Sequence, residues 1–312
     1  KYKFNFNKDY LFLFSLLIFL SPYFRASAIW TLGDNLSIFF FSFFCYFYLK
    51  SENKFYFDKF NFFCLLFIVL TSYIRPIYSF FWIFLTLQKI KAFNGKNIII
   101  YLTVSFILSI AALIYLYTRF TTSSYLNVFS TFINYNYIEI SVVYLSIISF
   151  YLFPFVFHDY KNIIKFIKFK KKIVCFFSFF IILIFLLDYF YLFNLISISN
   201  YGGGLFYKLS ILLNFDFNLI LLLTSMMGLI LFIFVSYGKY FLYNSSILLF
   251  FILYSPIQYI FQKYIDPLYL FIFFLLVKSE VIYRYFKYKK FNLGFIYFYF
   301  FVFLSFSIYY YS

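Results

Sequence analysis

The sequence predicts an all-α, polytopic integral membrane protein of about 11 transmembrane helices, several of them short or re-entrant, forming a single domain over residues 1–312. Three observations lead there. The first is composition: 65% of residues are hydrophobic and 12% charged, and the mean hydropathy is +0.92. A soluble domain carries about 25% charged residues, so this chain cannot cover a water-facing surface with polar groups. The second is the length of the apolar runs, which approach the 20 or so residues a helix needs to cross hydrocarbon. The third is charge order: when the runs are given alternating directions, 21 of the 26 Lys and Arg residues fall on one side, the pattern of cytoplasmic loops.

The runs lie at about 10–22, 36–49, 60–73, 77–88, 97–118, 137–157, 173–195, 217–237, 245–256, 265–278 and 291–310. Those at 97–118, 137–157, 173–195, 217–237 and 291–310 are long enough to span unaided. The shorter six each adjoin a segment holding Pro, Arg or other polar residues, which the helices would carry to membrane depth inside protein. With the N-terminus cytoplasmic, the inner loops hold Lys1, Lys3 and Lys8, then Lys50, Lys54 and Lys59, then Lys89, Lys91 and Lys96. Six lysines from Lys161 to Lys172 follow, then Lys239, and finally Lys278 to Lys290. The outer cations are Arg25, Arg75, Arg119, Lys208 and Lys263. The inner side is almost all lysine, a hydrated point charge, whereas three of five outer cations are arginine, whose planar fork suits phosphate and carboxylate.

Other readings narrow the field. The net charge of +16 sits in short loops between apolar runs, which argues against a nucleic-acid partner. The 59 Phe and 36 Tyr follow largely from A/T-rich codons. With eight glycines, close packing through small residues is expected to be scarce. Cys45, Cys64 and Cys175 lie within apolar runs without metal spacing and are expected as bland buried thiols. Residues 159–172 place Lys161, Lys165, Lys168 and Lys172 along one helical face, opposite Ile and Phe, as in an interfacial helix on the inner leaflet. The single His158 beside Asp159 is expected to be structural. The chain starts at Lys1, so upstream residues are expected to be missing.

The outer side gathers the distinctive chemistry. Ser21–Asn35 (SPYFRASAIWTLGDN) joins two short spans and holds Arg25, Trp30 and Asp34. In Thr71–Pro76 (TSYIRP), Pro76 biases Arg75 away from helix, making a tight turn with an arginine at its tip. Arg119 opens a Thr/Ser/Asn/Tyr-rich stretch to Asn136, and Glu139 follows at the mouth of the next span. Asn200–Asp216 contains Gly202, Gly203 and Gly204 and reads as a mobile loop, with Asp216 as a helix-terminal carboxylate. Ser255–Leu268 (SPIQYIFQKYIDPL) packs Gln262, Lys263, Tyr264 and Asp266 before a late span. Asp188 is a carboxylate inside a span, a functional candidate by default.

The SPYFR-x-x-x-x-W segment, the Arg-Pro turn and the late Q-K-Y-x-D-P-L resemble bacterial multipass glycosyltransferases of the GT-C superfamily and, more distantly, the dolichyl-phosphate-glucose-dependent alpha-1,2-glucosyltransferases. The resemblance implies transfer of a sugar from a polyprenyl-phosphate-linked donor to a glycan or lipid acceptor on the outer face of the cytoplasmic membrane. It implies Arg25, Arg75 and Lys263 as donor-phosphate contacts, and Trp30, Gln262, Tyr264, Asp266, Arg119 and Glu139 as substrate contacts. The family's catalytic acid lies in a first outer loop that would precede Lys1, which leaves Asp34 and Asp188 as the carboxylates on hand. No cofactor is implied with certainty, and a divalent metal is compatible. The alternatives are a lipid-linked oligosaccharide flippase, an O-antigen polymerase or ligase, and a structural membrane subunit.

Overall fold

A computed structural model describes residues 16–21, 33–52, 54–75, 78–121, 137–190, 204–253, 269, 272–287 and 293–311. Every described element is helical, as the composition predicts, and no strand occurs among the described residues. A 3₁₀ turn at Leu16–Leu20 precedes α1 (Gly33–Ser51), α2 (Lys59–Ile74), α3 (Ser79–Ala92) and α4 (Gly95–Thr121). Then come α5 (Tyr137–Val156), α6 (Tyr160–Phe169), α7 (Lys171–Tyr189), α8 (Gly204–Leu213) and α9 (Phe217–Ser236). The order closes with α10 (Phe241–Leu253), a π-helical turn at Ile272–Leu276, α11 (Glu280–Lys287) and α12 (Leu293–Tyr311). These helices follow the apolar runs to within a few residues. The exceptions are α8, which starts at Gly204 inside the expected glycine loop, and α11, in an expected inner loop.

By length and apolarity two described segments can cross a membrane, Gly95–Ala112 in α4 and Phe217–Ser236, the whole of α9. Lys59–Ile74, Ile140–Val156 and Leu293–Phe306 are apolar but shorter. Six of the eleven expected runs are only 12–14 residues long, short of a full crossing by themselves.

Phenylalanine builds the first pair. Phe47 of α1 stacks on Phe63 and Phe67 of α2 at 5.1 and 5.6 Å, and Phe43 on Phe67 at 5.0 Å. Phe40 also meets Phe67, whereas Phe47 reaches back to Phe60, so the two helices run antiparallel. α3 returns onto α1 through Phe81 against Phe41 at 4.7 Å. α4 is tied to the group by Trp82 Nε1, which donates to Ser105 Oγ at 2.6 Å. The other side of α4 is bare, with Ile99 67% and Phe106 60% exposed.

α5 and α9 approach closely at Gly228. A Cβ placed on Gly228 would lie 1.8 Å from the Leu145 carbonyl oxygen and 3.1 Å from the Ser149 nitrogen. Small residues are scarce, as expected, yet this one sets the approach of the two backbones. Farther along α5, Phe153 and Val156 share a cleft with Leu223 and Met226. Numbers rise on α5 as they fall on α9, so these helices are antiparallel. α12 is in turn antiparallel to α5, with Phe295 on Phe157 at 5.1 Å and Phe303 on Phe150 at 4.7 Å. Strict alternation of the apolar runs gives α5 the direction of α9, and α12 the direction opposite to α9; the packing corrects both. Alternation assumes one crossing per run, so a single extra or missing crossing reverses everything after it, and residues 122–136, between α4 and α5, lie outside the described residues.

α6 also departs from a helix lying flat on a leaflet. Phe166 packs on Phe234 and Tyr237 at 5.4 and 5.3 Å, and Lys170 lies 4.8 Å from the Tyr237 ring. The helix therefore runs beside α9 and in its direction. The thiols divide: Cys45 and Cys64 are buried as expected, but Cys175 on α7 is exposed.

Candidate functional site

The ends of the helices form two unlike regions. At one end, loops that the charge order assigned to a common side do meet. Lys89 Nζ of α3 donates to the Ser51 carbonyl at 2.7 Å. The Phe57 amide donates to Asn97 Oδ1 at 3.3 Å, joining the loops before α2 and α4. Lys278 Nζ pairs with Glu52 at 3.0 Å, and Lys239 stands 3.9 Å from Glu280. Four loops thus share one lysine-rich end.

A half-buried polar chain runs beneath it. Tyr48 Oη donates to Gln88 Oε1 at 3.0 Å, and Gln88 Nε2 donates to Tyr243 Oη at 3.0 Å, linking α1, α3 and α10. Asn244 grips the backbone at the start of α11: its Nδ2 donates to the Lys278 carbonyl at 2.8 Å, and its Oδ1 accepts from the Lys278 amide at 2.9 Å. Ser279 Oγ donates to the Val235 carbonyl at 2.6 Å, tying the same segment to α9. Asp58 caps α2 by accepting from the Asn61 amide at 3.0 Å and pairs with Lys54. Burial raises the Asp58 carboxyl, but the bonds from Lys54 and Asn61 outweigh it and hold it below the ordinary aspartate range.

Lys89 is 3% exposed, deep for a lysine. Its alkyl stem fills space while its ammonium makes one charge-assisted bond, worth about 1.5–3 kcal/mol. We expect Lys89→Ala to lower stability by about 2 kcal/mol, and Lys89→Met, which keeps the stem and removes the charge, to cost under about 1 kcal/mol. Thermal unfolding of the two detergent-purified variants checks the difference; equal losses would show that the ammonium, not the stem, matters.

The opposite end begins one α2 length away, about 24 Å by the helix rise, at Arg75. There α2 stops as the Arg-Pro sequence predicts: Arg75 is extended (φ −136°, ψ 106°), its amide donates to the Thr71 carbonyl at 2.9 Å, and its carbonyl accepts from the Tyr78 amide at 3.1 Å. The side chain is half-buried. Asp216 caps α9, accepting from the Asn218 amide at 3.0 Å, the helix-terminal role expected of it. Asn214 closes α8 in the left-handed region (φ 53°), a conformation asparagine tolerates.

Of the other sequence-predicted site residues, Arg25, Trp30, Gln262, Lys263, Tyr264 and Asp266 lie outside the described residues. Asp34 falls in the first turn of α1, Arg119 in the last turn of α4, Glu139 in the first turn of α5 and Asp188 in the last turn of α7; these place backbones only. The antiparallel contact of α5 with α9 places the start of α5, where Glu139 lies, toward the end of α9 that bears Val235. Among the described residues no three His, Cys, Asp or Glu gather as a metal site. Gln88, Asn244, Tyr48 and Tyr243 were missed from sequence, since a lone polar residue near the end of an apolar run looks the same whether it meets water or a partner helix.

A third feature is the cleft between α5, α6 and α9, of about 420 Å³, lined by Phe153, Val156, Phe157, Tyr160, Ile163, Ile167 and the α9 residues from Leu223 to Leu231. No protein-family model, curated protein or solved structure matches the chain.

Proposed function

We propose that the chain is a polytopic α-helical protein of a bacterial cytoplasmic membrane, and that it transfers a sugar from a polyprenyl-phosphate-linked donor to a glycan or lipid acceptor at the Arg75 end, on the outer face. The membrane reading is supported by the helix flanks. Ile99, Phe106 and, on α12, Phe298 (64% exposed) project large apolar side chains outward, a surface suited to lipid and costly in water. The four loops that meet at the lysine-rich end support its assignment to the cytoplasmic side.

The observation that carries the catalytic reading is Arg75, fixed in an extended turn at the end away from the lysines. Its planar guanidinium fork suits the phosphate of an anionic donor. In the reaction the acceptor hydroxyl oxygen forms a bond to the anomeric carbon as the bond from that carbon to the donor phosphate oxygen breaks. The electron pair leaves on the lipid phosphate, where Arg75, with Arg25 and Lys263, stabilises the charge. A carboxylate accepts the hydroxyl proton; Asp34 and Asp188 are the candidates within this chain.

The test is transfer by isolated membranes supplied with radiolabelled polyprenyl-phosphate hexoses. Arg75→Ala and Lys263→Ala should each lower product formation by roughly 100-fold at unchanged membrane abundance. Undiminished transfer in both variants would remove the phosphate assignment.

A further inference from the structure

We propose that the cleft between α5, α6 and α9 holds one acyl chain of an anionic phospholipid, with its headgroup on the lysines at the C-terminal end of α6. The proposal rests on the membrane reading but not on sugar transfer. The cleft volume of about 420 Å³ lies in the range of built ligand sites, about 300–1,000 Å³. It follows α9 from Leu223 to Leu231, a length of about 12 Å by the helix rise, which makes it a slot rather than a bowl. Both methionines of the chain, Met226 and Met227, line it. Unbranched thioether side chains adapt to a flexible guest, and a slot lined almost wholly by apolar groups, with Tyr160 the one polar side chain, favours an apolar one.

The charge lies where such a lipid needs it. Ile163 and Ile167 of α6 line the slot, and the helix then continues beside α9 to Tyr237. There Lys170 stands 4.8 Å from the Tyr237 ring, and Lys168, Lys171 and Lys172 are exposed next to it. This is the same end of α9 at which Val235 is tied to Ser279 and hence to the lysine-rich loops. An acyl chain lying in the slot puts its phosphate beside this cluster, and each lysine near an anionic headgroup adds affinity. A zwitterionic lipid with the same chain fits the slot but leaves the cluster uncompensated, so the site selects by charge.

Native mass spectrometry of the full chain in detergent, titrated separately with phosphatidylglycerol and phosphatidylcholine of identical oleoyl chains, tests this. The unmodified protein should retain one phosphatidylglycerol about tenfold more readily than phosphatidylcholine. The exposed triple substitution Lys168→Gln, Lys171→Gln and Lys172→Gln should abolish that preference. Filling the slot by Met227→Trp, or by Ile167→Trp on the outlying α6, should lower retention of both lipids about tenfold, provided the circular dichroism spectrum is unchanged. Equal retention of the two lipids by the unmodified chain would overturn the proposal. So would a preference that survives the lysine substitutions, or retention that survives in a folded slot-filled variant. Recovery of the chain without detergent in the soluble fraction would instead overturn the membrane reading itself, whatever lipid it retained.

Discussion

Gly228→Ala should destabilise the protein by about 3 kcal/mol or more, the largest effect we expect of a single added methyl group. The new Cβ would sit 1.8 Å from the Leu145 carbonyl oxygen. No rotamer change relieves it, because the atom it meets is backbone. The two helices must part, and the apolar contacts along α5 and α9 loosen together. Gly95→Ala is the matched comparison: a Cβ there meets nothing within 4 Å, so alanine's better helix propensity should leave stability unchanged or raised by up to about 1 kcal/mol. Thermal unfolding in detergent distinguishes them, with a fall of roughly 6 °C or more for Gly228→Ala. Similar midpoints for both variants would mean that α5 and α9 do not approach closely at this point.

Asn244→Leu should cost about 2–4 kcal/mol. Leucine keeps the branching at Cγ and is larger than asparagine, so no cavity forms and the loss reports hydrogen bonding together with any crowding. Asn244 is fully buried, and its amide satisfies both the carbonyl and the amide of Lys278. Once it is gone, those two groups lose their partners in a place poor in water, and each unsatisfied group costs about 1–3 kcal/mol. Asn244→Asp separates the two halves of the grip: the acceptor to the Lys278 amide remains, while the donor to its carbonyl is replaced by an oxygen that repels it. We expect it to be no more stable than the leucine variant by thermal unfolding. An Asn244→Asp protein as stable as the unmodified chain would show that the carbonyl bond contributes nothing.

Part of the candidate site was legible in the amino-acid order alone. Pro after Arg75 restricts its backbone, so the extended turn that ends α2 could be read from two residues. Asp216 ahead of an apolar run predicts a cap, and the cap is made. The neighbours of the Gln88 and Asn244 amides could not be read in the same way. Gln88 meets Tyr243 across 155 positions and Asn244 meets Lys278 across 34. Neither pairing leaves a periodic trace, because each depends on which helix faces which.

The sequence by itself determined the helical class, the approximate limits of most helices and the meeting of the loops at 50–59, 89–97, 239 and 278–280. Each is set locally: apolar length decides where a helix can be buried, and charge decides which loops stay in water. Only the tertiary structure decided the antiparallel fit of α5 to α9, the path of α6 along α9 and the slot that it leaves. Those depend on one glycine's missing side chain and on aromatic faces meeting across the bundle, contacts between residues far apart in the chain, which composition and periodicity do not encode.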